Sequence, residues 1–217
     1  MSSTTDATRR ATLQRFSRAE RVVHQSIAVL MIVCLVTAAI LYNGSLANLV
    51  GNRHLVEIVH VYCGFALPAP ILLGLIFAAY RADLRRLNRF LPSDWRWLRS
   101  RSRRDGSIPV GKFNAGQKLN AALSGGAIFV LFGTGIIMNF TGLTRLSWRT
   151  GATFVHDWFA LAVGLLVLGH IIYALRDSES LRGMLHGRVS RHWARAEHAV
   201  WVDEVEAAED PDTHAEP

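Results

Sequence analysis

Cysteine is nearly missing from this 217-residue sequence: there are two, Cys34 and Cys63, both inside apolar runs. Two thiols in such surroundings are no disulfide framework. They are also too few for an iron–sulfur cluster held by four thiolates, so any such cluster belongs to another chain. The N-terminal stretch MSSTTDATRRATLQRFSRAER lacks the short apolar core and small-residue cleavage site of a removable signal, and none is expected. Charged side chains are scarce as well. They make up 19% of the chain, against about 25% in soluble domains, while half of the residues are hydrophobic. That balance excludes an ordinary soluble domain and points to a membrane protein.

Four segments reach the about 20 mostly apolar residues that a bilayer crossing needs. They are residues 22–42, 55–80, 119–140 and 152–175. The expected organisation is a polar arm over 1–21, a transmembrane domain over 22–175 and a polar tail over 176–217. The tail's acidic end, VDEVEAAEDPDTHAEP, reads as disordered. Pro68 and Pro70 lie inside the second segment and predict a kink, since neighbouring helices can satisfy the freed carbonyls. Gly125, Gly126, Gly133, Gly135, Gly164 and Gly169 let helices, or a flat cofactor, come close to the third and fourth segments.

Basic residues sort by side. The arm holds five Lys and Arg, the 81–118 loop eleven and the tail five, 21 in all, against Arg53, Arg145 and Arg149 in the two remaining loops. The excess places both termini and the central loop in the cytoplasm of a multi-pass cell-membrane protein. Contact with anionic lipid accounts for most of the loop's charge, and so clean a sorting by side speaks against nucleic acid as a partner.

Histidines interrupt these spans, and an ionisable residue inside an apolar helix usually has a function. With the chain threaded this way, His24 and His170 lie near the cytoplasmic face, and His60 and His156 near the outer face. His156 and His170 are fourteen residues apart, about 1400° of helix and some 40° short of four turns, so they share a face about 21 Å apart. Two depth-matched pairs suit two large cofactors stacked through the membrane. They do not suit a zinc ion, which needs three or four ligands around one point. Paired neutral imidazoles fill both axial positions of a haem iron and leave it an electron carrier. No C-x-x-C-H motif exists, so the haems are non-covalent. His54, beside Arg53 at a span boundary, is the weaker candidate for the outer pair, and His186, His192, His198 and His214 read as solvated tail residues. Asp157 either orients the neighbouring imidazole or faces water. Arg21 either meets a haem propionate or snorkels.

Several strings then resemble one family, the gamma subunit of respiratory formate dehydrogenase, a di-haem cytochrome b. They are GKFNAGQK at 111–118, HVYCG at 60–64, ERVVH at 20–24 and SLRGMLHGRVSRHWARAEHAVW at 180–201. The likeness runs from about residue 15 to 201. It implies the same ligands, His60 and His156 for the outer haem and His24 and His170 for the inner. It also implies menaquinone as acceptor beside the inner haem, at Asn114, Gly116 and Gln117 near His170. Asn114 offers donors and an acceptor and Gly116 close backbone approach, although Asn114 also suits a helix N-cap. The implied partners are an iron–sulfur beta subunit and a molybdenum or tungsten alpha subunit.

The sequence thus reads as an all-α membrane protein, a four-transmembrane-helix bundle binding two b haems. Its expected role is to carry electrons from the iron–sulfur partner to menaquinone, with substrate chemistry done elsewhere. Two other readings stay open: the same module serving another dehydrogenase such as a hydrogenase, and a non-redox transporter or anchor that uses buried histidines.

Overall fold

The computed structural model describes residues 11–209 except 103, 104 and 106. In chain order the elements are β1 (Thr12–Gln14), α1 (Arg18–Tyr42), α2 (Gly44–Val50), α3 (Arg53–Ala66), α4 (Ala69–Gly74), α5 (Ala78–Asn88), α6 (Pro92–Arg99), α7 (Ala115–Asn139), α8 (Leu146–Arg176), α9 (Ser178–His186), β2 (Arg188–Ser190), α10 (Arg191–Glu197) and α11 (Ala199–Glu209). Four stretches are long and apolar enough to cross a membrane: Arg18–Tyr42, Arg53–Gly74, Ala115–Asn139 and Leu146–Arg176.

The chain forms two compact units, and the first comprises residues 22–81 and 123–172. Its core takes side chains from all four membrane-length stretches: Met31, Leu67, Ala127, Ile128 and Val163. The expected second span is divided. Pro68 and Pro70 lack N–H donors, and the backbone breaks between α3 and α4, where Leu67 N–H reaches back only to Gly64 O at 3.4 Å. Residues 75–77, between α4 and α5, form a tight turn, not helix. Its carbonyls are satisfied by Arg81, whose Nη1 donates to Leu75 O at 2.6 Å and Ile76 O at 2.8 Å. At the end of α7, the Thr144 hydroxyl donates to Ile137 O at 2.9 Å.

The second unit gathers the arm, the central loop and the tail. Strands β1 and β2 pair antiparallel, with Leu13 opposite Val189. Leu13, Val189, Ala194, Trp201 and Val202 form its buried core. Gly187, at φ +85°, caps α9, and its carbonyl accepts from Arg15 N–H at 2.8 Å and Phe16 N–H at 3.1 Å. A Cβ there would sit 2.7 Å from Phe16 O, so glycine is required for the arm to close on the tail.

The tail is more ordered than its composition suggests. Val202–Glu209, read from composition as disordered, belongs to α11, because Trp201 and Val202 anchor that helix in the core. Residues 210–217 lie outside the described ones. His198 is not a solvated residue either. It is 2% exposed, with Nδ1 2.7 Å from Gly111 O and Nε2 3.1 Å from Arg15 Nη2. His186 and His192 are exposed, and His214 is outside the described residues.

Candidate functional site

His24 lies on α1, His60 on α3, and His156 and His170 on α8, all in the first unit. The rings of His60 and His156 have centres 6.2 Å apart with their planes inclined at 69°, and those of His24 and His170 stand at the same separation. Val163 is seven residues from each histidine of α8, about 10.5 Å along the axis in either direction. It sits in the apolar core at 2% exposure. The two pairs therefore sit at different levels with packed side chains between them.

A metal–imidazole bond of about 2.0–2.1 Å, with each ring centre about 1.1 Å behind its nitrogen, puts two ring centres about 6.3 Å apart across one ion. Both pairs match that spacing. Among the described residues no group of three or more His, Cys, Asp or Glu could hold a metal, so an ion at either pair would need further ligands of another kind, as haem supplies. A Cβ added at Gly64, Gly125, Gly126, Gly133 or Gly169 meets nothing within 4 Å, which leaves room for a flat group beside the helices. His54 is exposed and belongs to neither pair.

Two threonines that sequence reading passed over complete the His60–His156 pair. Thr37 Oγ1 on α1 lies 2.9 Å from His60 Nδ1, and Thr134 Oγ1 on α7 lies 2.9 Å from His156 Nδ1. Each hydroxyl also donates to the carbonyl four residues back, Val33 O at 2.7 Å and Val130 O at 2.8 Å. Asp157 therefore does not supply the Nδ1 partner of its neighbour. A faint signal existed: each threonine is a polar residue in the second half of a span.

The GKFNAGQK string is built into the second unit. Asn114 and Gln117 cap α7 reciprocally, Asn114 Oδ1 accepting from Gln117 N–H at 2.9 Å and Gln117 Oε1 from Asn114 N–H at 3.0 Å. A Cβ at Gly116 would lie 3.3 Å from both Asn114 Oδ1 and the Trp97 ring, so glycine lets α6 close on this cap. Lys118 donates to Asp94 at 2.7 Å and to Arg89 O at 2.9 Å. Arg21 donates to Leu185 O at 2.6 Å, tying α1 to the end of α9.

Lys112 joins two buried carboxylates that the sequence reading did not connect. Its ammonium lies 2.5 Å from Asp83 Oδ2 and 3.3 Å from Glu20 Oε1, all three residues under 9% exposed. Glu20 is also placed by the start of α1, where it accepts from Ser17 N–H at 2.5 Å. Burial pushes the Asp83 carboxyl up to about 7, with Glu20 adding to the rise and Lys112 opposing it. Burial likewise lowers the Arg15 guanidinium to about 10 against the pull of Asp177 and Asp83, which leaves it charged at neutral pH.

Four membrane-length helices, three of which carry two imidazole pairs at matched spacing, define a membrane protein of the b-cytochrome class. The chain belongs to the prokaryotic cytochrome b561 family, whose model matches residues 15–187, and it binds haem b. It is similar to the cytochrome b556(Fdn) subunit of the nitrate-inducible formate dehydrogenase of Escherichia coli K12, being 34% identical over 103 residues, 46% of this chain and 48% of that one. The corresponding subunits of Escherichia coli O157:H7 and Shigella flexneri match with the same figures. The match thus spans about half the length of these curated relatives.

Proposed function

We propose that this protein is the membrane di-haem cytochrome b subunit of a formate dehydrogenase complex, passing electrons from an iron–sulfur partner to menaquinone. The observation that carries this reading is the pair of matched imidazole spacings, 6.2 Å each, at two levels of one helical unit. The named relatives supply the choice of formate over other donors.

In this reading His60 and His156 hold one haem b, and His24 and His170 a second. Haem held by these imidazoles would supply one-electron chemistry. The apolar core around Val163 keeps water from between the two levels. Asn114, Gly116 and Gln117, at the start of α7, take the quinone. The excess of 21 basic residues over three supports a cell-membrane protein with both termini on the cytoplasmic side and the His60–His156 pair toward the outer side. The electron donors are an iron–sulfur beta subunit and a molybdenum- or tungsten-containing alpha subunit.

The choice of donor is tested in membranes carrying the chain with its neighbouring dehydrogenase subunits. Formate should reduce the b haem bands before quinone is added. Reduction by hydrogen and not by formate would move the subunit to a hydrogenase.

A further inference from the structure

The two imidazole pairs differ in one respect. Both rings of the His60–His156 pair have a threonine hydroxyl 2.9 Å from Nδ1. In the other pair, His24 Nδ1 is buried and has no hydrogen-bond partner among the described residues.

The direction of the threonine bonds follows from counting protons. A hydroxyl has a single hydrogen. In Thr37 it points along α1 to Val33 O at 2.7 Å, with Cys34 O at 3.1 Å sharing it. In Thr134 it points along α7 to Val130 O at 2.8 Å, with Leu131 O at 3.1 Å. Toward the histidine each oxygen can then only accept. Nδ1 must carry the ring proton, and Nε2 is left with its lone pair free.

A ring N–H that donates a hydrogen bond makes the opposite nitrogen a more basic ligand, and more basic axial ligands favour the oxidised iron. Because both rings of one pair are held this way, the effect on that haem is doubled. The two arrangements also repeat each other in the fold. The threonine lies on the membrane-length stretch that precedes its histidine's, 23 residues before His60 and 22 before His156.

We propose that Thr37 and Thr134 are positioning residues that fix the ligating tautomer of His60 and His156 and set the haem held there at a lower reduction potential than the haem held by His24 and His170. With potentials so ordered, electron transfer from the His60–His156 site to the His24–His170 site would be downhill. This inference rests on the di-haem reading above.

The experiment is redox potentiometry of purified Thr37→Val, Thr134→Val and the double variant, followed optically and by EPR. Valine keeps the shape and removes the acceptor. Each single change should raise the midpoint of one haem, the same in both. That haem is identified as the one whose signal His60→Ala removes. The double change should raise it further, and the second haem should stay at its wild-type potential. Thr37→Ser and Thr134→Ser, which restore the acceptor, should return the midpoint to its wild-type value. If valine instead releases the haem, serine must retain it at wild-type potential for the proposal to stand. Unchanged midpoints in both valine variants, a downward shift, or movement of the other haem overturns it. Absence of haem in the wild-type protein would sink the functional reading itself, a separate result.

Discussion

His60 and His156 come from different helices, α3 and α8, yet their ring centres stand 6.2 Å apart with each Nδ1 tied outward to a threonine. In the di-haem reading, this arrangement leaves both Nε2 atoms to ligate an iron between the rings. His24 and His170 reproduce the spacing at the other level.

Loss of one ligand should therefore empty a whole site. His60→Ala and His156→Ala should each abolish the same low-spin EPR signal, and His24→Ala and His170→Ala the other. Pairing of His24 with His60 in such an experiment would break the assignment.

Asn114 caps α7, and that role has to be separated from quinone binding. Removing an N-cap costs about 0.5–2 kcal/mol, so Asn114→Ala should lower haem content or expression. Asn114→Ser keeps a capping oxygen and should leave haem content normal. If the amide also bonds a quinone carbonyl, losing about 0.5–1.5 kcal/mol of binding should weaken a quinone-mimicking inhibitor roughly three- to tenfold. Stopped-flow reoxidation by a menaquinone analogue, normalised to haem, should slow in the serine variant. Normal rates and inhibitor affinity there would leave Asn114 as a cap alone.

Asp83 gives stability a pH dependence of defined sign. Its folded-state carboxyl titrates near 7 against an ordinary value of 3.8, so the folded protein keeps a proton that the unfolded chain gives up. The contribution is fully present below about 4 and is lost as pH rises to about 7. Melting temperature in detergent should fall across that window in the wild type, and Asp83→Asn should flatten the fall. An unaltered slope would show that another group governs it.

The tail should behave as folded structure. Val202 is fully buried against Leu13, Val189 and Trp201, and truncating it to alanine should cost about 2 kcal/mol from lost burial and the cavity left behind. Limited proteolysis should cut the Val202→Ala tail faster than the wild-type one while the haem spectrum is unchanged. Equal cleavage rates would contradict the packing.

The four spans were legible because bilayer length leaves a long apolar signal, and the histidine pairing because threading fixes depth. The end of the second span was not: from sequence, Leu75–Tyr80 looks as apolar as the helix before it, and only the structure shows Arg81 satisfying the carbonyls of a turn there. Tail order escaped for a related reason. Acidic composition hid Trp201 and Val202, whose partners Leu13 and Val189 are distant in sequence or on another element. Thr37 and Thr134 were invisible as partners because a hydroxyl in a span also bonds its own helix, and nothing in the sequence says which histidine it faces. Asn114 was legible as a cap, and its bond to Gln117 accounts for that role, whereas its quinone role rests on the resemblance alone.

The most direct test is the haem content of the purified wild-type chain. Acid-acetone extraction followed by a pyridine haemochrome assay should recover two haem b per chain, with b-type bands that dithionite reduces. A ratio near one, haem that stays with the polypeptide, or no such bands would contradict the assignment of His24, His60, His156 and His170 as two pairs of haem ligands.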